Sequence, residues 1–262
     1  VDLHVLFVNQ SYGFSEHAVL RAANYELRPP VQREDGLPPG VGFKLEYGGS
    51  VVPGRLANTF GRQQALVAAA AAAVGIAFGM NLLEIAEALG TYESLPGRLK
   101  LIPGNKQSWL LDDTYNAAPA ATLAALDTLA EFPGKRRFAV LGDMLELGAE
   151  TETAHRAVGK RAGEVADVFI AVGERMKFAL EEARATAKRR RRKLETLWLP
   201  DAVSAGQELD RRLRAGDVAL IKGSQGMRME RAVREVMAEP ARAVELLVRQ
   251  DPFWLRTSSA VY

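Results

Sequence analysis

Residues capable of chemistry collect at the ends of apolar runs. Asp112 and Asp113 close the run Trp109 to Leu111, and Lys222 follows the run Val218 to Ile221 within the pentapeptide K-G-S-Q-G. Side chains alternate across a strand, so one carboxylate of the pair can reach a ligand crevice while the other holds the next turn or caps a helix begun at Pro119. Lys222 and Ser224 stand beside glycines just ahead of a helical stretch, where an ammonium and backbone amides suit an anion. Two more polar, glycine-bearing loops follow apolar runs: G-D-M-L-E-L-G at Gly142 to Gly148, and G-E-R at Gly173 to Arg175. The first also reads as purely structural, with Gly142 allowing a turn and Glu146 capping. No segment matches the phosphate-binding pattern G-x-x-x-x-G-K-[ST]. His4, His17 and His155 are isolated, no carboxylate or histidine spacing marks a metal site, and His155 reads as a packing or surface residue.

The elements that must carry these residues alternate. Apolar runs at Trp109 to Leu111, Phe138 to Leu141, Val168 to Val172, Thr196 to Leu199 and Val218 to Ile221 predict strands. Amphipathic stretches at Pro119 to Phe132, Thr151 to Val165, Arg175 to Lys188, Ala202 to Leu213 and Met229 to Met237 predict helices. Short, uninterrupted apolar strands alternating with helices predict an α/β, Rossmann-like, doubly wound parallel sheet, whose ligands lie beyond the carboxyl ends of the strands. Upstream the pattern differs. The signals are an apolar run Leu3 to Val8, a helix-like stretch Glu16 to Tyr25 and a proline- and glycine-rich segment Pro29 to Gly42. A hairpin follows over Phe43 to Val52, turning at Gly48-Gly49. Arg62 to Phe78 predicts an alanine-rich packing helix. Asn81 with Glu84 predicts a capping box that opens a helix with Leu82, Leu83, Ile85, Ala86 and Leu89 on one stripe and Gly90 as its stop. Pro96-Gly97 is the expected boundary, giving segments 1–97, 98–250 and a loosely held tail 251–262.

Of the 262 residues 48% are hydrophobic and 25% charged, a balance that supports a packed core. Lysines and arginines number 34 against 32 acidic residues, and six of the positives form one run, Lys188 to Lys193. That concentration argues against a nucleic-acid footprint spread over a face, and the run reads as a solvated helix end. The absence of cysteine excludes disulfides and thiolate chemistry and agrees with a cytoplasmic setting. The most apolar stretch, Leu66 to Met80, is too short to span a bilayer.

Four motifs carry a family resemblance: LPGRL at Leu95 to Leu99, DDTYNAAP at Asp112 to Pro119, LGDMLELG at Leu141 to Gly148 and KGSQGMRME at Lys222 to Glu230. In this order and spacing they resemble the Mur ligases, most of all the MurF type, which joins D-alanyl-D-alanine to UDP-N-acetylmuramoyl-tripeptide. The resemblance implies a Rossmann-like C-terminal domain preceded by the end of a central ATPase domain. It further implies ATP-dependent amide formation through an acyl phosphate in peptidoglycan synthesis, with ATP and Mg2+ as cofactors and with N-terminal and central domains in cis or in trans. By the same resemblance Arg98 matches an arginine that reaches the ATP phosphates, and Asp113 matches an acidic residue at the nucleotide ribose. Asn116 and Tyr115 lie in the same motif, and Lys222 and Ser224 match a loop facing the dipeptide. In the adenine-side helix, usually G-x-H/Q-N-x-x-N, Gln64 and Val67 stand at the two asparagine positions, and valine cannot hydrogen-bond a base. Without a phosphate loop the chain alone is expected to be inactive. The alternative reading is a stand-alone Rossmann-like binding module without catalysis.

Overall fold

The computed structural model describes residues 11–30 and 38–256. The predicted apolar run Leu3 to Val8, residues 31–37 of the proline- and glycine-rich segment, and residues 257–262 lie outside the described residues. The chain divides into two compact units, Val1–Ser94 and Leu95–Tyr262.

The first unit holds a four-stranded sheet of β1 (Tyr12–Gly13), β2 (Leu20–Arg28), β3 (Gly40–Tyr47) and β4 (Ser50–Ala57), in that order. β3 and β4 form the expected hairpin, with Tyr47 paired to Ser50 across Gly48 and Gly49, both at positive φ. The helix expected over Glu16 to Tyr25 is instead mostly strand. Leu20 and Ala22 are buried while Arg21 pairs with Glu46 on β3, so pairing with a neighbouring strand overrides the helical propensity of alanine and glutamate. One face of the sheet, through Leu20, Val41, Phe43, Leu45 and Leu56, packs on two helices, α1 (Arg62–Ala77) and α2 (Leu82–Gly90). The alanines are the packing surface of α1: Ala65, Ala68, Ala69, Ala72 and Ala73 are buried. At α2 both halves of the predicted capping box form, but the apolar stripe is narrower than expected, since Leu83 is exposed and only Leu82 and Ile85 are buried.

The second unit is a six-stranded sheet flanked by helices. Its strands are β5 (Lys100–Gly104), β6 (Ser108–Asp113), β7 (Arg137–Gly142), β8 (Val168–Val172), β9 (Glu195–Leu199) and β10 (Val218–Lys222), in spatial order β5-β6-β10-β7-β8-β9. All neighbours are parallel except β5 and β6. The sheet is therefore mostly parallel, with one antiparallel edge that the apolar pattern did not announce. Lys100 and Pro103 break the apolar run of β5, and a proline is tolerated there because it lies on an edge. The helices are α3 (Pro119–Glu131), α4 (Thr151–Val165), α5 (Met176–Arg189), α6 (Ala202–Arg212) and α7 (Glu230–Val236), each close to its predicted span. Two short helices, α8 (Ala243–Leu246) and α9 (Pro252–Arg256), complete the described part. The tail is thus not wholly loose: Trp254 in α9 accepts a hydrogen bond from Arg228 through its carbonyl.

Alternation along the strands decides which helices cover which face. Leu110, Phe138, Val140, Val168, Ile170, Ala219 and Ile221 share one cluster with Ala202, Ala205 and Leu209 of α6 and Ala232, Val233 and Val236 of α7. The intervening residues Leu111, Ala139, Leu141, Phe169, Ala171 and Leu220 are equally buried. On α4 and α5 the contact is backbone-close: a Cβ on Gly159 would collide with the Ala179 carbonyl, and one on Gly163 with the Ala183 carbonyl. Among the described residues no helix is long and apolar enough to cross a membrane.

Candidate functional site at the carboxyl rim of the sheet

β6 and β10 end side by side in register, with Ile221 opposite Asp112 and Lys222 opposite Asp113. Register partners of a parallel pair share a face, so Lys222 and Asp113 meet. The Lys222 ammonium donates to Asp113 Oδ2 at 2.6 Å and to the Asn116 carbonyl at 2.8 Å. The other oxygen of Asp113 accepts from the Leu99 amide at 3.2 Å. Both side chains are largely buried, 3% exposed for Lys222 and 11% for Asp113. The two charges singled out in the sequence thus neutralise each other and tie the end of β10 to the loop after β6.

Asp112 points to the opposite face and is fully buried. It accepts from the Gly97 amide at 3.0 Å, the Thr114 amide at 3.2 Å and the Thr114 hydroxyl at 2.6 Å. Burial pushes its carboxyl up to about 7, with the charge of Asp113 acting in the same direction and the three donors opposing. Gly97 has φ +69, and a Cβ there would come within 2.9 Å of the Tyr115 nitrogen; only glycine lets the turn approach the loop so closely. The Tyr115 amide in turn donates to the Gly97 carbonyl at 3.1 Å. This zipper presents Arg98 at the surface with its guanidinium stacked 3.9 Å from the centre of the Tyr115 ring. Asn116 is exposed, its side-chain oxygen accepting from the Ala117 amide at 2.8 Å.

Beside this turn lies a cleft of about 530 Å³, lined by Arg98, Tyr115, Gln225, Arg249, Asp251 and Trp254 among others. Arg249 was not legible in the sequence, because no local pattern marks an arginine beyond the last helix predicted there, Met229 to Met237. Glu230 lay within a recognised motif without a role. Together with Arg228 they form a buried ionic cluster: Glu230 accepts from Arg228 Nε at 2.6 Å and from Arg249 Nη1 at 3.0 Å.

The loop G-D-M-L-E-L-G serves mainly to hold other loops. Asp143 accepts from the Met176 amide at 2.7 Å and the Arg175 amide at 3.2 Å, satisfying the start of α5. Burial raises its carboxyl above the ordinary value. Ser224 is equally committed: its hydroxyl accepts from the Leu145 amide at 2.8 Å and donates to the Ala117 carbonyl at 3.3 Å. A Cβ on Gly223 would sit 3.1 Å from the Gly142 Cα, so these two loops touch backbone to backbone. His155 is fully buried, accepting from the Met144 amide at 3.1 Å through Nε2 while Nδ1 lies 2.6 Å from the Thr151 carbonyl. These partners fix the neutral tautomer protonated on Nδ1, and burial lowers its basicity. Glu146 caps nothing and is an exposed residue at φ +64. In the first unit, Gln64 is half-buried near the start of α1 and Val67 is exposed.

Comparison with known proteins places this rim. The family model described as "Mur ligase, glutamate ligase domain" matches residues 97–225, from the glycine of the Arg98 turn to the residue after Ser224. Residues 97–225 are a Mur ligase C-terminal domain. The chain is similar to the UDP-N-acetylmuramoyl-tripeptide--D-alanyl-D-alanine ligase of Escherichia coli, with 35% identity over 66% of this chain and 37% of the relative. It is also similar to the crystal structure of MurF from Acinetobacter baumannii (TM-score 0.69, 26% identity, 86% of this chain and 45% of that one). MurF ligase from Thermotoga maritima in complex with ADP shares the fold at TM-score 0.67 and 23% identity, over 89% of this chain and 48% of that one. The chain spans less than half the length of these relatives. The Mur ligase fold assignment agrees with the mostly parallel sheet and its flanking helices.

Proposed function

We propose that this chain is the C-terminal part of an ATP-dependent amide ligase of peptidoglycan synthesis, adding D-alanyl-D-alanine to UDP-N-acetylmuramoyl-tripeptide. The observation that carries the reading is the Gly97–Arg98 turn. It is zipped to the loop after β6 so that Arg98 lies exposed on the Tyr115 ring at the mouth of the cleft. A planar guanidinium held in this way suits two phosphate oxygens at once. In the reaction implied, the peptide carboxylate takes the γ-phosphoryl group as an acyl phosphate, and the amine of the dipeptide then displaces phosphate with loss of its proton. ATP supplies the phosphoryl group. This chain contributes orientation and charge stabilisation from one side.

The residues present fit the nucleotide in one part only. Arg98 is exposed and stacked on the Tyr115 ring, and both oxygens of Asp113 are engaged by Leu99 and Lys222, so in this reading Asp113 braces the loop that presents Arg98. Lys222 and Ser224, spent on internal bonds, likewise act as braces for the wall that a dipeptide would touch through Gln225 and Tyr115. For Mg2+ the fit is absent: among the described residues no group of three histidine or acidic side chains is placed to hold a metal ion. The magnesium ligands and the phosphate-cradling loop belong, in this reading, to other parts of the ligase, in cis or in trans.

The test is D-alanyl-D-alanine-dependent phosphate release by the ligase that carries this chain. Arg98→Ala is expected to lower kcat/KM for ATP by about 10² or more, as for loss of a positioned electrostatic contact. A value within threefold of the parent overturns the reading.

A further inference from the structure

Arg249 has no part in the reaction just described, yet its side chain is only 6% exposed. A guanidinium is withdrawn from water at a cost that only well-placed partners offset. Arg249 Nη1 donates to the Thr114 carbonyl at 3.1 Å and to Glu230 at 3.0 Å, and Nη2 donates to the Tyr115 carbonyl. Glu230, 1% exposed, is shared with Arg228, whose Nη2 reaches the Trp254 carbonyl at 2.9 Å. Glu230 is thus in direct contact with both guanidiniums, with the Asp112 carboxyl a more distant influence on Arg249. Both arginines have left-handed backbones, φ +52 at Arg228 and +58 at Arg249. Residues bearing a Cβ hold that conformation only where their surroundings enforce it.

The arrangement grips one loop from two sides. Arg249 takes two consecutive carbonyls, Thr114 and Tyr115, while Asp112 takes the Thr114 amide and, through Gly97, the opposite turn. Tyr115 is thereby fixed, and its ring carries the Arg98 guanidinium. We infer that Arg249, anchored by Glu230, is a positioning residue that sets Arg98 through Tyr115. The inference rests on the reading of Arg98 as the residue facing the nucleotide phosphates. A lysine is no substitute at position 249, because a single ammonium cannot reproduce the planar fork that spans two carbonyls and a carboxylate.

Two measurements test it. In the 262-residue chain, Arg249→Lys is expected to speed hydrogen exchange of the Tyr115 amide at least tenfold, with the amides of Leu141, Ile170 and Leu220 in the sheet unchanged. Unchanged exchange at Tyr115 overturns the inference, and Glu230→Gln provides the same reading if the lysine variant does not fold. In the ligase that carries the chain, Arg249→Lys is expected to raise KM for ATP about tenfold with kcat within threefold, and to add nothing in an Arg98→Ala background. Additive effects of the two substitutions overturn it, since a merely structural arginine would weaken both backgrounds alike. Should Arg98→Ala leave kcat/KM for ATP within threefold of the parent, the nucleotide reading falls by itself, while the exchange experiment still decides whether Arg249 holds the loop.

Discussion

Asp112 gathers three donors around a carboxyl that burial has moved close to neutrality, and the balance has a sign that can be measured. With a value of about 7 folded against 3.8 as the ordinary value, the group keeps its proton in the folded chain over a range where the unfolded chain has lost it. Folding therefore binds a proton between those limits, and stability falls as pH rises through them, by at most about 1.4 kcal/mol per pH unit from this one group. Below about pH 4 the penalty is absent, and above about pH 7 it is fully present. Urea denaturation of the chain from pH 4.5 to 7.5 is expected to show the decline, and Asp112→Asn, which cannot ionise, to show a flatter profile. A parallel pair of profiles would place the titration elsewhere. The residue types of this site were legible in the sequence, but their directions were not. Nothing in D-D-T-Y-N states that Asp113 turns to Lys222, because that depends on β10 lying beside β6, a neighbour far along the chain.

The helices show what local signals can and cannot specify. α3 and α6 fall within a residue of their predicted spans because each carries its own start, a proline at the first turn of α3 and the Asp201 cap on α6, and α4 matches its predicted span through its amphipathic pattern. β2 and β5 escaped, the first because its alanines and glutamate favour a helix in isolation, the second because Pro103 and Gly104 read as a break. Their strand character comes from pairing with β3 and β6, which the composition of β2 or β5 alone does not announce. The closest helix contact is equally non-local. Gly159 admits the Ala179 backbone of α5, so Gly159→Val forces α4 and α5 apart, and a loss of about 3 kcal/mol is expected by urea denaturation. Loss of less than about 0.5 kcal/mol would mean that the two helices are not held together at this point.

At the scale of the molecule, the two units have separate cores. The first is built from the β2–β4 sheet and the small residues of α1, the second from alternating faces of the β5–β10 sheet. A unit with its own core folds without its neighbour. A fragment of residues 95–262 is expected to keep its α/β circular dichroism and to unfold in a single transition; a fragment with no cooperative transition would show that the division is not one of stability. The regular alternation of apolar strands with amphipathic helices lies in this second unit, which is why its architecture was accessible from sequence while β1 and β2 were not.

The place of β10 has a consequence for how the protein is made. β10 lies between β6 and β7, yet it is the last strand among the described residues, and the Lys222–Asp113 bond joins residues 109 positions apart. During translation β6, β7, β8 and β9 all leave the ribosome before the strand that belongs between the first two. Until Val218 to Lys222 emerges, β6 and β7 have no partner between them, and the edges facing that gap expose unpaired peptide groups that could recruit another nascent chain. Slow decoding just upstream of Val218 would therefore lengthen the interval of greatest aggregation risk, and holdase chaperones would find their binding sites on β6 and β7 during it.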